Sequence, residues 1–298
     1  MEFYANLPMP LAVDPGAWAR DREAEGWHGV CASDHIWVNR TVYPHVFVLL
    51  ATMAAATSRI RLTSSFANNL FRSPVEFAQA SLTLNHLSGG RFDAGLGAGW
   101  MAEEMERTGR PYPDGPTRVT MYREALTIVR ALLRDGTCRF AGEHYRIDVG
   151  DPPLACVTDP PPPLVGSAVG PRALREVTPL VDRLEVTANG RAIRGGALDM
   201  QVYAEIGEPE VREAAARARA VRDDVPLGTF IMVAVGDTPQ IAGLRAALGD
   251  GFFSRFVGAP GPVAQALLDL EGLGFDRVQL TPFGGGALEA LAPHLGLG

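Results

Sequence analysis

Eight short apolar runs, at residues 2–7, 30–33, 60–65, 91–96, 164–165, 184–187, 227–235 and 277–280, alternate with stretches that carry helix signals. Strands separated by helices pair in parallel, and eight such units in 298 residues is the count of a (β/α)8 TIM barrel. A doubly wound sheet uses the same kinds of element. No strand here, however, is followed by a G-x-G-x-x-G helix opening with an acidic residue at the right distance, and Gly95-Leu-Gly-Ala-Gly99 lacks that spacing. The expected fold is α/β: one barrel domain spanning residues 1–298.

The punctuation between the runs supports this order. Asp14 precedes Pro15 and can cap a helix that Gly26 ends. Ser73 and Glu76 have the spacing of a capping box, with Pro74 in the first helical turn. Further helices are expected over 46–56, 117–134, 209–221 and 262–273, and a helix start at Asp237-Thr238-Pro239. Residues 101–115, with Glu103, Glu104 and Tyr112, read as a long irregular loop, and loops of that length are usually functional or disordered. Gly142-Glu143-His144-Tyr145 reads as a hairpin or extended excursion.

Composition excludes several chemistries. All 27 basic residues are arginine. Without lysine there is no Schiff-base chemistry and no P-loop lysine. The net charge of −7 argues against nucleic acid as a partner. No apolar run approaches the ~20 residues that cross a membrane, and the N-terminal residues carry no secretory pattern. Cys31, Cys138 and Cys156 suit neither a disulfide framework nor a zinc site and fit a reducing cytoplasm. The six histidines show no metal-ligand spacing, so no metal is expected.

Barrel active sites form at the C-terminal ends of the strands. The residues placed there are Asp34 and His35, 64–69, 97–100, 166–171, 187–189 and 281–285. Gly95, Gly97 and Gly99 strip side chains from a strand end, which lets a ligand approach the backbone or simply makes a tight turn. Gly166-Ser167-Ala168-Val169-Gly170 before a helix reads as an anion cradle or as an ordinary loop. His35 beside Asp34 reads as a general acid or base, or as a buried histidine at a strand end. Trp37, Tyr43, Phe66, Trp100, Tyr112 and Phe283 either wall an apolar pocket or belong to the core.

These residues resemble a known family. Ser33-Asp34-His35, Arg59-Ile60-Arg61-Leu62, Asn68-Asn69-Leu-Phe-Arg72-Ser-Pro74 and Leu87-Ser-Gly-Gly-Arg91-Phe-Asp-Ala-Gly-Leu-Gly97-Ala-Gly99-Trp100 together are similar to the bacterial luciferase-like flavin and deazaflavin oxidoreductases, closest to their actinobacterial deazaflavin-dependent branch. The likeness is strong from Asp34 to about Arg134, continues through 166–172 and weakens after Asn189. It implies a barrel that binds coenzyme F420, or alternatively reduced FMN, and a small-molecule substrate. Asp34 and His35 would face the cofactor ring, with His35 as proton donor or acceptor. A non-proline cis peptide is expected at Ser64-Ser65, Asn68 at the ring, Gly97, Ala98 and Gly99 along the cofactor tail, and Gly166, Ser167, Ala168 and Gly170 at its phosphate. The likeness also implies a homodimer through 46–56. The compact segment between strands six and seven lacks the long insertion that closes over a flavin intermediate in the luciferase subunits. It therefore favours hydride transfer with a deazaflavin over oxygenation with FMN. A non-catalytic flavin-fold binding protein is the third reading.

Overall fold

Local chemistry sets the element boundaries. The Asp14 carboxylate accepts the Ala17 N–H at 2.7 Å and opens α1 (Pro15–Ala24). Ser73 and Glu76 exchange both bonds of the capping box, at 3.1 and 2.9 Å, at the start of α3 (Pro74–Leu87), which follows α2 (Val46–Ala56). Asp114 caps α4 (Gly115–Asp135), which ends at Gly136 in the left-handed region, φ 69°.

The computed structural model describes residues 1–297. Its core is a ring of strands: β1 (Glu2–Asn6), β2 (Gly29–Ala32), β3 (Arg61–Ser64), β4 (Phe92–Gly97), β5 (Leu164–Ala168), β6 (Arg183–Val186), β7 (Leu227–Val235) and β8 (Arg277–Pro282). Each pairs in parallel with the next, and β8 pairs with β1, so the sheet closes. The helical layer continues with α5 (Pro171–Val177), α6 (Glu208–Val221), α7 (Pro239–Leu248) and α8 (Pro260–Leu268). The (β/α)8 expectation holds strand for strand.

Three local readings differ. β5 runs on through Gly166, Ser167 and Ala168, which the sequence reading placed in a loop. The segment expected to be irregular contains a short helix, Ala102–Arg107. The stretch 262–273 divides into α8 and a 3-10 turn, Asp269–Leu273. A small hairpin pairs Trp37–Val38 with Thr41–Val42. The expected excursion around Gly142 is an antiparallel pair, Cys138–Ala141 with Arg146–Val149. Among the described residues no helix is long and apolar enough to cross a membrane, and no cluster of potential metal ligands occurs.

The N-terminal end of the barrel is closed by charge. The Arg277 guanidinium, fully buried, donates to Glu185 and to Asp93, each at 2.9 Å, and lies 4.5 Å over the Tyr4 ring. Arg61 pairs with the same Asp93 from the start of β3. Glycine supplies room nearby: a Cβ on Gly228 would fall 2.2 Å from the Glu185 carboxylate.

A second bracket ties α1 to β3. The Glu23 carboxylate accepts backbone N–H groups of Ser58, Arg59 and Ile60 at 3.1, 2.7 and 2.8 Å. Partial burial pushes its pKa up, but these three donors outweigh that and bring it down to about 2. Folding therefore releases this proton more readily than the unfolded chain does, so the stabilisation is present above the ordinary carboxylate range and is lost as pH falls toward 2. Glu23→Gln is expected to lower stability by about 1 kcal/mol at pH 7 through the weakened charge-assisted bonds. In thermal melts the gap to the parent should narrow below about pH 4; a gap independent of pH would refute this account.

Candidate active site

The C-terminal ends of β2, β3 and β4 converge. The Asp34 carboxylate, buried just past β2, accepts Arg72 nitrogens at 2.5 and 3.1 Å and the Asn68 N–H at 2.7 Å. Both Asp34 oxygens are thus committed to holding the chain after β3. The Asn68 side-chain oxygen accepts the Leu70 N–H at 2.9 Å.

His35 follows. Its Nδ1 lies 2.9 Å from a carboxylate oxygen of Glu104, whose side chain is 0% exposed. The other Glu104 oxygen accepts the Ile36 and Trp37 N–H groups at 2.5 and 3.2 Å. An ionised carboxylate is acceptor-only, so the imidazole donates from Nδ1 and Nε2 is left as its working nitrogen. Tyr43 and Trp100 meet the imidazole edge-on, with ring centroids 5.4 and 5.8 Å away. Burial, with the nearby Glu104 carboxylate second, raises the Tyr43 hydroxyl above its usual range and keeps it neutral.

Glu104, which the sequence reading named in the 101–115 loop, was given no role at the site there. It sits in the first turn of Ala102–Arg107, seven residues after β4 ends. The available signal was an acidic residue just beyond a glycine-stripped strand end.

The strip itself is bare. A Cβ on Gly97 would fall 3.1 Å from the Phe66 Cβ and 3.4 Å from the Ser167 Oγ, while one on Gly99, at φ 78°, would fall 2.4 Å from the Asn68 side-chain oxygen. Gly95 serves the barrel instead, since its Cβ would lie 2.0 Å from the Ser64 carbonyl oxygen. Ser64 is buried and donates to Gly95 O at 2.6 Å. The Ser65 hydroxyl is buried and has no hydrogen-bond partner among the described residues. The cis peptide joins Ser65 to Phe66, one residue later than expected.

The five-residue stretch after 165 divides by strand alternation. Ser167 turns toward Gly97, and its N–H donates to the Tyr122 hydroxyl at 3.0 Å, which in turn donates to Leu96 O. Gly166 turns outward, where a Cβ would fall 2.7 Å from Val181 and 3.0 Å from Val177, and Ala168 joins the outer core. Gly170 is the N-cap of α5 and has open space around it. The structure thus gathers Ser65, Asn68, Gly97, Ala98, Gly99 and Ser167 at one mouth, and sets Gly166 and Ala168 behind it.

Across the mouth, the Asn6 amide donates to the hydroxyls of Ser33 and Thr281, both at 2.8 Å, and its own oxygen has no partner among the described residues. Buried Asn6 and Ser65 oxygens that have no partner among the described residues, set around a mouth whose glycine strip a Cβ would crowd, suit a flat ligand with polar edges lying on backbone. A cavity of about 570 Å³ lies to one side, between Asp34, His35, Tyr43, Phe47, Phe71 and Arg110, and does not include the glycine strip.

A family model described as luciferase-like monooxygenase matches residues 14–247. F420-dependent glucose-6-phosphate dehydrogenase of Beutenbergia cavernae is 32% identical over 215 residues, 69% of this chain and 59% of that protein. The protein of the same name from Intrasporangium calvum is 30% identical over 209 residues, covering 68% and 60%. The chain thus spans about 60% of the length of these relatives. An F420-dependent secondary alcohol dehydrogenase, solved with an F420-acetone adduct, superposes with a TM-score of 0.77 at 16% identity over 99% of this chain and 97% of the other. Monooxygenase RslO1 from Streptomyces bottropensis superposes with a TM-score of 0.75 at 18% identity over 100% and 97%. The sequence match over most of the chain, the closed eight-stranded barrel and the glycine strip at its mouth agree: this chain belongs to the luciferase-like monooxygenase family.

Proposed function

We propose that this protein is an F420-dependent oxidoreductase acting on a small organic substrate, with His35 moving the proton that accompanies hydride transfer. The observation that carries this is the His35–Glu104 pair at 2.9 Å, with the imidazole edge-on to Trp100, the residue that follows the Gly97–Gly99 strip. The relatives named as F420-dependent, at about 30% identity, support F420 over FMN. So does the segment between β6 and β7, in which the described helices are the short Met200–Ala204 and α6.

When bound, the deazaflavin supplies a two-electron hydride couple. Ser65, Asn68, Gly97, Ala98 and Gly99 form the surface that receives it, and Ser167 with the Gly170 N–H takes its phosphate. Gly166 and Ala168 keep β5 in place against the helices. Nε2 of His35 passes the proton, and the Glu104 carboxylate orients the ring and balances the imidazolium charge. Asp34 acts through Arg72 and the Asn68 N–H, fixing the loop after β3.

Titration with F420 and with FMN, followed by fluorescence, tests the cofactor. F420 is expected to bind at least ~10-fold more tightly; tighter FMN binding would favour the monooxygenase reading that the likeness to RslO1 allows. Gly97→Val, which fills the strip, is expected to weaken F420 binding by ~10-fold or more while thermal unfolding shows the barrel intact.

A further inference from the structure

We infer that the cavity beside His35 binds a monocarboxylic acid, its carboxylate on Arg110 and its ring-sized apolar body against Tyr43, Phe47 and Phe71. This deepens the reading above, on which it rests for the reaction but not for the binding. The cavity, about 570 Å³, has the volume of a small-ligand site. His35 stands on one wall, the half-buried rings of Tyr43, Phe47 and Phe71 supply apolar surface, and exposed Arg110 lies at the edge. The Tyr43 ring meets the imidazole edge-on at 5.4 Å, so a body packed on that ring lies next to His35.

The Arg110 guanidinium is fixed without being neutralised. Its Nη1 donates to the Leu70 and Phe71 carbonyls at 3.0 and 2.5 Å, which spends both N–H bonds of that nitrogen. The opposite edge, Nε and Nη2, bonds to nothing among the described residues. That edge is the fork that meets a carboxylate two bonds for two. Its backbone is tied down as well, since the Arg110 N–H donates to Met105 O at 2.9 Å. Met105 follows Glu104 in the helix Ala102–Arg107, so one short segment holds both the imidazole and the guanidinium.

The other charges around the cavity set the charge of the ligand. Asp34 and Arg72 are spent on each other, and Arg72 also lies 5.5 Å over the Phe47 ring. Glu104 is spent on His35 and on backbone N–H groups. Glu76 is left on the cavity wall; bonds from Ser73 hold its carboxyl below the ordinary range, so it is negative. A free guanidinium facing one fixed carboxylate suits a ligand with a single negative charge. A phosphate monoester brings about −1.5 to −2, and the chain has no lysine to meet the second charge. At the exposed edge the carboxylate keeps water on its outer side, which limits its desolvation, while the body leaves water for the rings.

The test uses the full chain, before and after loading with F420. The probes are 3-phenylpropanoate, 3-phenylpropanamide, which has nearly the same shape without the charge, and 2-phenylethyl phosphate. By calorimetry the propanoate is expected to bind ~10-fold or more tightly than either of the others. Arg110→Gln should weaken the propanoate by ~10-fold or more and leave the amide and F420 within ~3-fold of the parent, with thermal unfolding unchanged. Arg110→Lys, which keeps the charge but not the fork, should recover only part of the loss. Glu76→Gln, which keeps the capping bond and removes the like charge, should tighten the propanoate. Acid bound no better than amide or phosphate in the parent, or an acid preference that survives Arg110→Gln, would overturn the inference. So would a matching loss of F420 affinity in that variant, which would give Arg110 to the cofactor. Absence of F420 binding would instead overturn the cofactor reading and leave the carboxylate result standing.

Discussion

Replacing His35 with alanine is expected to lower turnover by about 10²–10⁴-fold, the usual worth of a positioned general acid or base, while F420 affinity stays within ~3-fold of the parent. The split follows from geometry. The imidazole is held from below by Glu104 and edge-on by Tyr43 and Trp100, whereas the surface assigned to the cofactor is Ser65 to Asn68 and the Gly97–Gly99 strip. Removing the ring deletes the proton carrier and leaves that surface intact. Glu104→Gln should show an intermediate loss, because an uncharged amide still reaches Nδ1 but no longer balances an imidazolium. Steady-state rates beside fluorescence titration separate the two effects. Unchanged turnover in the alanine variant would remove His35 from the reaction, and a large loss of cofactor affinity would make it a binding residue.

Arg277→Met is expected to be the most destabilising single change in the barrel, at about 3–5 kcal/mol. Its guanidinium reaches Glu185 and Asp93 at 2.9 Å inside a lumen that water does not enter freely, and it is 1% exposed. Burial already pushes the Glu185 carboxyl above its ordinary range, against the pull of Arg277 and Arg183. Without Arg277 that carboxyl loses its ion-pair partner and must stay buried with only the more distant Arg183 or take up a proton. Adding Glu185→Leu to Arg277→Met should recover part of the loss, since it removes the stranded acid; urea denaturation of both singles and the double gives the coupling. Additive losses in that cycle would mean that the two side chains do not act as a pair.

The strand count, the order of elements and the capping signals were legible because each is written in neighbouring residues. Asp14 and Ala17, or Ser73 and Glu76, are three apart, and an apolar run shows itself. The extent of β5 was not legible. Gly166, Ser167 and Ala168 are small residues that suit a loop as well as a strand, and only the approach of Val177 and Val181 explains a glycine there. The partner of His35 was hidden for another reason: Glu104 lies 69 residues away and meets it only because β2 and β4 end on the same side of a closed barrel. Asp34 and Arg72, 38 apart, are the same case. The cis peptide at Ser65–Phe66 rather than Ser64–Ser65 is a one-residue difference that no neighbouring residue in the sequence marks.

The charged floor has one more consequence. With Tyr4, Asp93, Glu185 and Arg277 filling one end of the ring, a ligand that enters the barrel comes in past the C-terminal ends of the strands. A cofactor held on the proposed Gly97–Gly99 surface would be covered by a substrate arriving after it, so the first to enter is expected to be the last to leave. Ordered kinetics would then come from the architecture of the lumen itself, with no moving part required.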